Sequence, residues 1–90
     1  MRPAPGLPHP VQLARRDLAT RLHLRPDQVA VERILRVVWG NSCLGLPAPE
    51  LCAPGKVGGY LVRLRALGRT YRYHTDLRHT IRYAAAHTGG

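Results

Sequence analysis

Two cysteines are the first residues in this sequence whose type and spacing suggest chemistry. Cys43 and Cys52 lie in a stretch rich in glycine and proline, with eight residues between them. A bond between them would close a ten-residue ring, and loop entropy makes such a crosslink worth about 2.5–3 kcal/mol. Zinc is the poorer reading, because structural zinc sites take cysteines in close Cys-x-x-Cys pairs and none is present. The pair predicts a disulfide, and a disulfide in a small domain points to an oxidising compartment.

The histidines carry a weaker signal. His74 and His79 flank a turn with Asp76 between them. Both residue types ligate metals, but an aspartate at a turn ordinarily accepts backbone N–H groups, and that is the preferred role here. A small enzyme or metal protein built on His74, Asp76 and His79 is the remote alternative. Cys43 could serve as a nucleophile beside His74 only as a free thiol, which a disulfide removes, and Ser42 has no base next to it. No cofactor and no metal are expected, and the sequence predicts a non-catalytic protein.

Charge supplies the third signal. The chain has 90 residues with 14 Lys+Arg against 5 Asp+Glu, a formal net charge of +9, and every cation except Lys56 is arginine. Strand alternation puts Arg63, Arg65, Arg72 and Arg82 on the face opposite Tyr60, Val62, Leu64, Tyr71, Tyr73 and Ile81. Guanidinium groups there would bind phosphates or carboxylates, so a basic nucleic-acid-binding protein is the main alternative function. Against it, the tyrosines lie on the wrong face to stack bases, and Arg15, Arg16 and Arg21 form a separate patch on a helix.

The fourth signal is apolar. Leu44, Leu46 and Leu51 sit among the prolines of the cysteine loop, with Trp39 just before it. A crosslinked loop that displays leucines suits protein recognition, because rigidity lowers the entropy cost of binding. These four residues are the candidate partner contacts. For Trp39 itself a core plug beneath the loop is the favoured role, against that of an exposed anchor.

The elements that must position these residues follow from periodicity. Val11, Ala14, Leu18 and Leu22 recur at helical spacing, so residues 10–24 read as one helix, opened by Pro10 and stopped by Pro26. Residues 29–39 read as a long strand, bulged where the alternation slips at Ile34 and Leu35. A loop over residues 41–58 follows. Then come strands near residues 59–67, 70–75 and 79–84, the first two joined by a tight turn at Gly68 and Arg69. The expected class is α+β, with one N-terminal helix packed on a four-stranded antiparallel sheet.

Domain organisation is simple. Residues 1–10 form a proline-rich arm, 11–84 a single domain and 85–90 a flexible tail. An apolar fraction of 44% fits a small globular core, and no apolar run is long enough to span a membrane. The chain contains no stretch resembling a secretory leader. Export is expected nonetheless, with a leader outside this sequence, and a cytoplasmic location follows if none is encoded.

From Trp39 onward the sequence resembles a group of small bacterial exported proteins and lipoproteins. The matching words are Trp39, Ser42-Cys43-Leu44-Gly45-Leu46-Pro47, Cys52, Gly59-Tyr60 and Tyr73-His74-Thr75-Asp76. The order of one helix and then strands is similar to PepSY-like and cystatin-like layouts. The resemblance implies an exported, non-enzymatic protein, and the PepSY comparison implies a restraint on peptidases. The expected function is a non-catalytic extracytoplasmic binding module for a protein partner, inhibitor-like or a subunit of an assembly.

Overall fold

The computed structural model describes residues 6–47 and 51–88. The first five residues of the arm and the last two of the tail lie outside the described residues.

Helix α1 spans His9–Leu22, with Pro8 as its N-cap and Pro10 in its first turn, where a helix leaves N–H groups unpaired anyway. Val11, Ala14 and Leu18 are buried on one face, and Leu22 packs against the same core. The helix stops before Pro26, and for a different reason. His23 adopts left-handed backbone at φ 57, and the N–H groups of Leu24 and His23 donate to the carbonyls of Ala19 and Thr20 at 2.8 and 3.3 Å. This is a Schellman closure with histidine in the usual glycine position, and Leu24 folds onto the core behind it. Pro26 instead opens a single 3-10 turn, Pro26–Gln28.

Four strands follow: β1 Ala30–Asn41, β2 Pro54–Ala66, β3 Arg69–Asp76 and β4 Ile81–Thr88. They pair in chain order, each antiparallel to the next. The expected α+β class is the observed one. Several boundaries move. The loop is residues 42–53, because β2 begins at Pro54. The turn between β2 and β3 is Leu67-Gly68, with φ 51 and 74, the type I′ signature that matches strand twist. Strand β4 continues to Thr88, past the expected start of the tail. The break in β1 is not at Ile34 and Leu35, where pairing with β2 is continuous. It lies at Glu32, while a second irregularity, opposite Gly40, puts its extra residue on β2 between Pro54 and Val57.

Alternation then sorts the side chains. The inner face carries Val62, Leu64, Tyr71 and Tyr73, buried with Val11, Ala14, Leu18 and Val29 in one core. The helix packs over β2, β3 and β4. One polar cluster locks it there. The Tyr73 hydroxyl donates to Asp17 Oδ2 at 2.6 Å, and Arg21 Nε donates to the same oxygen at 2.7 Å. The Arg21 guanidinium lies 5.0 Å over the Tyr83 ring, which meets Tyr73 edge-on at 5.4 Å. Among the described residues no helix is long and apolar enough to cross a membrane.

Candidate functional loop and outer sheet face

The outer face carries the predicted site residues, and the cysteine loop folds over part of it. Cys43 and Cys52 are joined by a disulfide with Cα atoms 5.3 Å apart. The two ends of the loop are also clamped by backbone. The Ser42 N–H donates to the Ala53 carbonyl at 3.0 Å, and the Ala53 N–H donates to Ser42 Oγ at 2.7 Å. Asn41 Oδ1 accepts the Cys43 N–H at 2.9 Å. A tight turn follows, closed from Leu46 N–H to the Cys43 carbonyl at 3.2 Å, with Leu44 and Gly45 both at positive φ. Polar residues absent from the candidate contacts thus shape the loop; a short Asn-Ser run before a cysteine was the available signal.

Two sheet residues hold the loop down. His74 Nδ1 is 2.7 Å from the Leu44 carbonyl. A carbonyl only accepts, so Nδ1 carries the proton. The other ring nitrogen, Nε2, is enclosed with no partner among the described residues. Burial pushes the His74 pKa down, as do the charges of Arg72 and Arg82, against the opposing pull of the Leu44 bond. A neutral ring fits this setting: protonation would put a second donor where no acceptor lies among the described residues, against the positive charges of Arg72 and Arg82. Arg82 is the second holder. It donates to the carbonyls of Cys43 and Pro47 at 3.1 and 2.9 Å.

Trp39 completes the packing. Its ring stacks on His74 with centroids 4.3 Å apart and planes 13° from parallel, and its Nε1 donates to the Thr75 carbonyl at 2.8 Å. Gly59 makes this possible. A Cβ there would run into the Thr75 carbonyl and stand 2.7 Å from the indole nitrogen. Trp39 is therefore the half-buried plug beneath the loop rather than an exposed anchor.

The candidate contacts separate accordingly. Leu44 is 1% exposed and anchors the loop from inside, so it is unavailable to a partner. Leu46 is half-buried, while Leu51, beside Cys52, is 99% exposed. The arginines separate too. Arg82 is tied to loop carbonyls, and Arg65 pairs with Glu32 at 3.5 Å. Arg63 and Arg72 are cross-strand partners, and Arg33 on β1 extends their row. The three have no carboxylate partner among the described residues. The face expected to be open is thus half covered by the loop and Trp39.

The turn histidines do not converge on a site. Asp76 Oδ1 accepts the N–H groups of Arg78 and Thr80 at 2.8 and 2.9 Å, the turn role expected of it. His74 is engaged by the loop and His79 is exposed. Among the described residues no group of three histidines, cysteines or acids could hold a metal ion.

No curated protein and no solved structure matches the chain. Residues 11–83, from the first helical turn to the third residue of β4, match the family described as Domain of unknown function (DUF8738), and the chain belongs to that family.

Proposed function

We propose that this protein is a non-catalytic extracytoplasmic binding module that recognises a protein partner through its crosslinked loop. The observation that carries the reading is Leu51, 99% exposed and next to Cys52, in a loop fixed by the disulfide, His74 and Arg82. A leucine whose neighbour is tied by a crosslink loses less entropy on binding than one on an open loop. Leu46 lies in the same loop and adds apolar surface at its flank. The resemblance to exported proteins and to PepSY-like layouts supports the same reading, including an inhibitory role.

A photoreactive residue placed at position 51, and separately at the exposed Leu67 turn, tests it in the producing cells. A single crosslinked protein from position 51, lost on reduction, is the expected result. The same products from both positions, or none, would sink the reading. Blocking thiols before lysis tests the compartment: two free thiols in the native protein would overturn export.

The row Arg33, Arg63 and Arg72, which has no carboxylate partner among the described residues, favours a second reading, binding of nucleic-acid phosphates. Titration with duplex and single-stranded DNA at two salt concentrations decides it. Affinity must fall with salt and with a paired Arg63→Gln, Arg72→Gln change for this reading to stand.

A further inference from the structure

Strand β1 has the sequence of a central strand and the position of an edge strand. Seven of its twelve residues are apolar, and Ile34, Leu35, Val37, Val38 and Trp39 run almost without interruption. Such a run ordinarily marks a strand covered on both faces and paired on both edges. Yet among the described residues β1 pairs only with β2, and none of its residues is fully buried. Leu35 on the outer face is 39% exposed and Val38 on the inner face 63%. The helix packs over the other three strands.

The free edge has a defined length. Pairing with β2 is regular from Arg33↔Arg63 to Trp39↔Val57 and irregular on either side. Bulges bend an edge and end its pairing. The β1 bulge at Glu32 and the break in pairing opposite Gly40 therefore leave a straight window, residues 33–39, whose alternate residues offer N–H and C=O groups unpaired among the described residues.

Two charges in that window decide the occupant. Arg33 and Arg36 are exposed and lie on opposite faces. A second copy using the whole window antiparallel would centre on Arg36 and set it directly against its own counterpart. Like charges in that relation are destabilising, and each chain already carries +9. A strand with carboxylates at those two positions meets the opposite situation.

We propose that β1 accepts an extended segment of a partner protein as a fifth strand along residues 33–39, with acidic residues opposite Arg33 and Arg36 and apolar residues elsewhere. Backbone bonds supply affinity in this mode and the side chains supply selectivity. The proposal rests on the binding-module reading but uses a different surface from the loop.

The probe is the octapeptide Thr-Val-Glu-Val-Thr-Glu-Val-Thr, whose glutamates are three positions apart and so fall on opposite faces. Titrated into the isotope-labelled protein, it should shift backbone amides at residues 33–39 and bind more weakly as salt rises. Arg36→Glu should weaken it about tenfold and let the version with lysine in place of glutamate bind instead. Methylating alternate backbone nitrogens should abolish binding in one register and spare it in the other. Shifts elsewhere, no shifts, or a dimer of the protein alone that Val38→Arg dissolves would overturn the proposal. Leu51→Asp should leave peptide binding unchanged, so failure of the loop reading and failure of strand addition are told apart.

Discussion

His74 shows how one side chain links the loop to the sheet. It donates to the Leu44 carbonyl, supports the Trp39 ring and leaves Nε2 without a partner among the described residues. Its pKa is depressed in the folded state, chiefly by burial and further by Arg72 and Arg82. The unfolded chain therefore takes up a proton near the ordinary value of 6.5, while the folded protein resists it. Stability from this group is full above that pH and falls as pH drops from there towards the folded pKa. Urea denaturation across that range should show a midpoint that declines on acidification. His74→Phe keeps a ring on Trp39 but strands the Leu44 carbonyl, so it should cost about 1–2 kcal/mol at neutral pH and flatten the decline. An unchanged slope in that variant would refute the assignment. The residue type was legible in the sequence. Its partner was not, since Leu44 lies thirty residues away along the chain.

At the scale of elements, the attachment of α1 to the sheet depends on apolar contact and one polar lock. Burial alone would push the Asp17 carboxyl up, but the hydrogen bonds from Arg21 and Tyr73 and the charge of Arg21 outweigh it and hold it below its ordinary value of 3.8. Burial and the Asp17 bond together push the Tyr73 hydroxyl well up, so it stays a donor. Tyr73→Phe removes that donor and should cost about 1–2 kcal/mol. Asp17 contributes stability above its unfolded pKa, lost as pH falls through the folded value. The variant should therefore lose part of this acid sensitivity, measurable as a smaller drop in denaturation midpoint on acidification. Equal drops in both proteins would show that the lock is unimportant. The apolar stripe of α1 was readable from spacing. Its end at His23 was not, because histidine is an unusual residue for left-handed backbone and only the tertiary fit of Leu24 requires it.

At the scale of the whole molecule, the helix-covered core and the loop-covered outer face are separate layers. The core cluster contains no loop residue. Reduction of Cys43–Cys52 should therefore loosen residues 42–53 and lower stability by about 2.5–3 kcal/mol without dissolving the sheet. Amide exchange should accelerate in the loop and at β1's end while Val62, Leu64 and Tyr73 stay protected. Uniform loss of protection would mean the loop is integral to the fold.

Much was determined by the sequence alone. Periodicity separated one helix from four strands, alternation put tyrosines and arginines on opposite faces, and the spacing of two cysteines implied their bond. These are local rules, and they need only neighbours along the chain. Tertiary structure decided which outward-facing groups remain available. It turned Leu44 inward, put Trp39 beneath the loop over Gly59 and spent Arg82 on loop carbonyls. It also placed β1, whose composition suits a sheet centre, at an open edge. Availability depends on what the rest of the chain covers, and no window of sequence contains that.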